Sequence, residues 1–185
     1  FRVGGLSIDN YRTDLPIRKG LSSSAAICVL TARAFNQAYC LGLGVGEEME
    51  LAYLGETTTP SRCGRMDQGC AFGRRPVLMT FDGDQLETQE LTPGGRLYLV
   101  IADLQAQKDT RRILERLNAC YPFAGDELGR GVQEHLGPTN KRIVLAAAEA
   151  LQASDGPRLG GLMNEAQGLF DRFAALMRQR TAALV

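Results

Sequence analysis

One junction constrains this chain more than any other. The run Leu15-Pro16-Ile17-Arg18-Lys19-Gly20-Leu21-Ser22-Ser23-Ser24-Ala25-Ala26 leads into a segment, Ser22 to about Tyr39, that is rich in Ala, Leu, Val and Ile and has no internal Gly or Pro. Such a segment reads as a helix buried on most sides. A helix start leaves backbone N–H groups without intrahelical partners and carries partial positive charge, so an anion placed there meets donors already aimed at it. Gly20 permits unusual dihedrals and a close backbone approach, while Ser22, Ser23 and Ser24 add short hydroxyls that reach phosphate oxygen or a metal. Ala25 and Ala26 keep the adjoining turn narrow. A serine N-cap accounts for one of the three serines, not for three in a row behind PxxxG. Arg18 and Lys19 read either as phosphate contacts or as solvated loop charges.

The second constellation is Gly55-Glu56-Thr57-Thr58-Thr59-Pro60-Ser61-Arg62-Cys63-Gly64-Arg65-Met66-Asp67-Gln68. From Thr57 to Gly73 helical periodicity is lost, and the stretch reads as loop with a short helical turn, the kind of segment that often carries chemistry. One acid can serve as a hard oxygen ligand for a divalent metal and another can orient or deprotonate an attacking oxygen. Glu56 and Asp67 could supply these separately, but they are too far apart in sequence to be neighbours on one helix, so the loop must fold back. Out of context, two acids in a polar loop are surface charges. Arg62 and Arg65 either hold Asp67 ionised or point to solvent.

Composition removes other classes. Lys plus Arg and Asp plus Glu are both 21, so the chain lacks the net basic field that nucleic-acid or membrane-surface binding usually needs, and a small-molecule partner is the better default. The five cysteines, Cys28, Cys40, Cys63, Cys70 and Cys120, are odd in number and form no CxxC pair; they read as reduced cytoplasmic thiols, mostly core, rather than a disulfide framework or a zinc site. No apolar run reaches the roughly 18 residues of a membrane span and no signal segment opens the chain, which implies a soluble protein. The chain opens on Phe1 and stops inside a helix-like pattern at Thr181 to Val185, so both ends read as cut.

Along the chain, Gly5 to Tyr11 reads as a short strand and Val45 to Leu54 as an amphipathic helix with Glu47 and Glu48 in its first turn. Pro76 to Phe81 and Leu97 to Ala102 read as antiparallel strands, with turn signals at Asp82-Gly83-Asp84 and Pro93-Gly94-Gly95 between them. Thr110 to Cys120, Asn140 to Gln152 and Leu159 to Arg178 carry helical spacing, and strands followed by helices predict an α+β fold. Gly42-Leu43-Gly44-Val45-Gly46 is a helix-ending turn and not a dinucleotide fingerprint. Ser22 to Ser24 fail the GxSxG elbow, and nothing in the sequence links Cys63 to His135, the single histidine, so a hydrolase is the weak rival.

The run PIRKGLSSSAA resembles the second signature motif of the GHMP kinases, the family of galactokinase, homoserine kinase, mevalonate kinase and phosphomevalonate kinase. The spacing from Glu56 to Asp67 through PS and Gly is similar to mevalonate kinase; CGRMDQ and Leu162-Met163-Asn164-Glu165 resemble galactokinase segments. The resemblance implies an ATP- and magnesium-dependent kinase in which Gly20 to Ala25 cradle the nucleotide's phosphates, Ser24 and Glu56 hold Mg2+, and Asp67 is the catalytic aspartate. It also implies two lobes, 1–94 like ribosomal protein S5 domain 2 and 95–185 of ferredoxin-like type. The family's first and third motifs have no counterpart here, so the chain reads as an internal piece. A sugar is the expected acceptor. A mevalonate-like or amino-acid substrate is the alternative within the fold, and a non-catalytic nucleotide-binding regulator is the alternative outside catalysis.

Overall fold

The computed structural model describes residues 2–17, 19–59, 64–73, 75–103, 105, 117–120 and 123–183, with side chains described as far as residue 175. It is a mixed α+β chain that divides into two compact units, Phe1–Glu90 with Ile101–Arg111, and Leu91–Val100 with Arg112–Val185. Among the described residues no helix is long and apolar enough to cross a membrane.

The first unit is built on two helices, α1 (Ser23–Ala38) and α2 (Val45–Thr57), followed by a 3-10 helix (Asp67–Phe72) and a hairpin of β1 (Val77–Asp82) and β2 (Gln85–Glu90). Cys40 and Gly42, with φ of 48° and 73°, turn the chain out of α1, and the Glu47 carboxylate accepts from the Gly44 N–H to start α2. Val29, Met49, Ala52 and Ala71 make the core, with Phe72, Met79 and Leu86 packed against it, so each element contributes to one small apolar centre. The expectation that α1 is buried on most sides is not met. Ala25 and Val29 are buried, but Ile27 is 48% and Leu30 53% exposed, because α2 and the 3-10 helix cover one face only.

The strand partner differs from the sequence reading. β1 pairs antiparallel with β2, from Val77↔Glu90 to Asp82↔Gln85, closed by the two-residue turn Gly83-Asp84 with Gly83 at φ 57°, where glycine avoids the Cβ clash. Gln-Leu-Glu-Thr-Gln-Glu lacks an apolar run, yet a neighbour two residues away along the chain captures β1 before Leu97–Ala102 can. Residues 97–102 form no strand, and Tyr98, Leu99, Val100 and Ile101 are exposed. Gly5 to Tyr11 also forms no strand, since among the described residues β1 and β2 pair only with each other. The thiols are not mainly core either: Cys28 and Cys120 are half-buried, Cys40 and Cys70 exposed, and Cys63 lies outside the described residues.

A polar clamp ties the elements of this unit. Arg33 on α1 donates through Nε and Nη2 to Glu48 Oε2 at 2.8 and 2.7 Å, and through Nη2 to the Ala71 carbonyl at 2.8 Å. Asn36 donates to Glu48 Oε1 at 2.8 Å and exchanges hydrogen bonds with the backbone of Leu43. Burial pushes the Glu48 carboxyl up, but the hydrogen bonds from Asn36 and Arg33 and the Arg33 charge outweigh it and hold it below the ordinary glutamate range. A carboxylate lowered in the folded state contributes stability that is present above its unfolded value and lost as the pH falls through the folded value. Thermal unfolding from about pH 6 to about pH 3 is therefore expected to show an acid-side loss that is smaller in Glu48→Gln. Equal slopes in both proteins would exclude Glu48 as its source.

The second unit is helical: α3 (Glu127–Glu134), a π-helical stretch (His135–Thr139), α4 (Asn140–Gln152) and α5 (Gly156–Ala183). Asp126 caps α3 by accepting from the Gly129 N–H at 2.7 Å, and Asp155 does the same for α5 through Arg158 N–H at 2.9 Å. Pro138 has no N–H to give, and the ladder widens around it into the π form. Val132, Ile143 and Ala150 are buried, and the His135 ring stacks on Phe173 at 5.2 Å. Leu162–Glu165 lies within α5, with Met163 exposed and Glu165 paired to Arg142. The helix expected over Thr110–Cys120 falls mostly outside the described residues.

Candidate functional site

Helix α1 begins in an unusual way. Gly20 has φ 79°, and Ser22, the N-cap residue, is itself left-handed at φ 55°, ψ 38°. A non-glycine residue in that region costs on the order of 1–3 kcal/mol and persists only where surroundings hold it. What holds Ser22 is Asp67. The Ser22 hydroxyl donates to Asp67 Oδ1 at 2.9 Å and makes no capping bond to its own helix. The expected serine N-cap is thus diverted across the fold, and the first N–H groups of α1 are left without a side-chain acceptor from the cap. Ala25 is fully buried and anchors that first turn; Ser23 is half-buried, Ser24 and Leu21 are exposed. Ser24 makes no hydrogen bond to either acid.

Glu56 stands at the end of α2 with 1% of its surface exposed, and its Oε2 accepts from Gln68 Nε2 at 2.8 Å. Gln68 is fully buried and follows Asp67 directly in the 3-10 helix. Asp67 and Gln68 therefore reach in sequence to Ser22 and to Glu56, and the 3-10 helix joins the start of α1 to the end of α2. The loop of Thr57 to Gly73 is folded back as the sequence requires, although residues 60–63 lie outside the described residues.

The basic residues are placed differently from the sequence reading. Arg65 does not reach Asp67: it donates to Glu50 at 2.6 Å and to the Asp84 carbonyl at 2.8 Å, and lies over the Tyr53 ring. Its guanidinium finds a carboxylate, a carbonyl and an aromatic face on neighbouring elements, which together outcompete a single loop carboxylate. Lys19 pairs with Asp103 at 3.1 Å, while Arg18 and Arg62 lie outside the described residues. Gln68 and the Arg33 clamp are the residues that the sequence did not single out, since Gln68 carries no charge and Arg33 meets Glu48 only across two helices, fifteen residues away.

Among the described residues, the two thiols that feel the charge of these acids, Cys28 and Cys70, are not activated. Burial, then the negative charge of Glu56, pushes Cys28 up. Burial also dominates for Cys70, with Asp67 and Glu56 adding to it. Raised thiols are poor nucleophiles at neutral pH. A cleft of about 380 Å³ between α1 and α2 is lined by Cys28, Thr31, Phe35, Leu41, Leu51 and Gly55 among others; it is apolar, and none of Gly20 to Ala25, Glu56 or Asp67 lines it. The candidate residues gather at the hydroxyl and carboxylate corner and not in this cleft.

Among the described residues no three or more His, Cys, Asp or Glu side chains gather into a metal cage. Magnesium is usually held by one or two carboxylates together with substrate phosphates. The donors present, serine hydroxyls and the Glu56 and Asp67 carboxylates, are hard oxygen ligands of the right kind. Compared with known families, residues 2–74 match the model of the GHMP kinases N terminal domain. No curated protein and no solved structure matches the chain.

Proposed function

We propose that the chain, whose residues 2–74 match the GHMP kinases N terminal domain, is a GHMP-family kinase that takes part in transferring the γ-phosphoryl group of ATP to a hydroxyl of a small molecule, a sugar being the preferred acceptor. The observation that carries this reading is the Ser22–Asp67 hydrogen bond, which sets the carboxylate beside the uncapped start of α1. Phosphates approaching that helix start would find backbone donors from Ser23 to Ala25, partial positive charge, and at Gly20 a backbone free of a side chain.

In this reading Ser24 and Glu56 hold Mg2+, which would neutralise charge on the β- and γ-phosphates. Asp67 orients the acceptor hydroxyl for in-line attack and accepts its proton or stabilises it by charge. For that it exchanges the Ser22 hydroxyl for the substrate hydroxyl, or keeps Ser22 on Oδ1 and uses Oδ2. Residues 1–94 and 95–185 form the two lobes of the reading. The galactokinase-like words CGRMDQ and LMNE support a sugar over a mevalonate-like or amino-acid acceptor.

A coupled ADP-release assay over hexoses, pentoses, uronic acids, mevalonate and homoserine tests this directly. Release stimulated by one sugar class is expected. Tight ATP binding with no transfer to any acceptor would instead favour a nucleotide-binding regulator, and stimulation by mevalonate or homoserine alone would correct the acceptor.

A further inference from the structure

We propose that Gln68 is a positioning residue that aims the Glu56 carboxylate toward the bound cation and couples its placement to that of Asp67. The inference rests on the reading of Glu56 given above. Three observations carry it. Gln68 is fully buried, and a buried primary amide is retained only where its hydrogen bonds are worth their desolvation. Its Nε2 donates to Glu56 Oε2 at 2.8 Å, fixing one oxygen of a carboxylate that is itself 1% exposed. Its backbone is continuous with Asp67, whose Oδ1 accepts from Ser22, so one turn of 3-10 helix holds Asp67 at the start of α1 and reaches Glu56 at the end of α2.

The chemistry of the donor matters as much as its place. A neutral amide orients a carboxylate by a hydrogen bond without itself forming an ion pair with it. A lysine or arginine at the same point would form an ion pair and compete with the metal. The far end of the 3-10 helix is fixed independently, by Arg33 donating to the Ala71 carbonyl, so the turn that carries Asp67 and Gln68 is held at both ends.

The test is binding of Mn2+ to the full chain in the presence of a non-hydrolysable ATP analogue, followed by electron paramagnetic resonance, with analogue binding in the absence of metal measured alongside. Removing an outer hydrogen-bond partner of a metal ligand typically lowers metal affinity by about 10–100-fold. Gln68→Met, which keeps length and removes the donor, is expected to weaken Mn2+ by about 10-fold and to leave metal-free analogue binding unchanged. In a Glu56→Gln background the same substitution is expected to have no further effect, an outcome that a merely structural role would not give. Equal loss in both backgrounds, or no loss in Gln68→Met while Glu56→Gln weakens Mn2+, overturns the inference and leaves the Glu56 reading standing. Unchanged Mn2+ binding in Glu56→Gln overturns both. Should Gln68→Met fail to fold, Gln68→Asn, which keeps an amide but falls one methylene short, is read by the same criteria.

Discussion

Asp67→Ala is expected to lower kcat by about 10²–10⁴-fold, the range that a positioned acid–base group contributes, while ATP affinity stays nearly unchanged. Asp67 lies against the start of α1 through Ser22 rather than among the phosphate donors themselves, so its loss should strike the acceptor hydroxyl and not the nucleotide. Asp67→Asn separates two roles. Its side-chain carbonyl can still accept from Ser22, so the left-handed turn and thermal stability should be kept, yet the charge and the proton acceptor are gone. Turnover lost in both variants, with stability kept in Asn, is the expected pattern in an ADP-release assay paired with thermal unfolding. Turnover equal to the parent in Asp67→Ala would remove Asp67 from the mechanism.

The second large effect concerns stability. Arg33→Ala leaves the Glu48 carboxylate, 7% exposed at its side chain, without its cationic partner, and leaves the Ala71 carbonyl without its donor. Breaking a fully buried pair costs about 3–5 kcal/mol. Arg33 is 35% exposed, and solvent screening brings the expectation down to about 2–3 kcal/mol. Arg33→Lys should recover only part, because an ammonium cannot reproduce the fork that spans a carboxylate and a carbonyl at once. Chemical denaturation of the three proteins measures this, and a loss under about 0.5 kcal/mol in Arg33→Ala would show the clamp to be energetically idle. Because Ala71 sits in the same 3-10 helix as Asp67, some loss of kcat should accompany the loss of stability in Arg33→Ala.

Several elements were legible because their causes are local. α1 and α2 announce themselves through apolar spacing and breaks at Gly42 and Gly44, and α4 runs from Asn140 to Gln152 as its periodicity indicates. Nothing in the pattern announces α3, since Gly129 and Gly131 lower its helix propensity and its formation rests on the Asp126 cap and the burial of Val132. β2 was hidden for a related reason: six mostly polar residues become a strand only through register with β1.

What the sequence offered by itself was a set of candidate residues, Gly20 to Ala25, Glu56 and Asp67, together with the GHMP resemblance that the match over residues 2–74 supports, because residue type and spacing along one stretch of backbone suffice to propose both. Only the tertiary structure decided partnership. That Ser22 gives its hydroxyl to Asp67 instead of capping α1, that Gln68 donates to Glu56, and that Arg65 turns to Glu50 are outcomes of which side chains the packing of α1, α2 and the 3-10 helix brings within 3 Å. Hydrogen-bond partners compete on distance and direction across the fold, and a one-dimensional pattern carries neither.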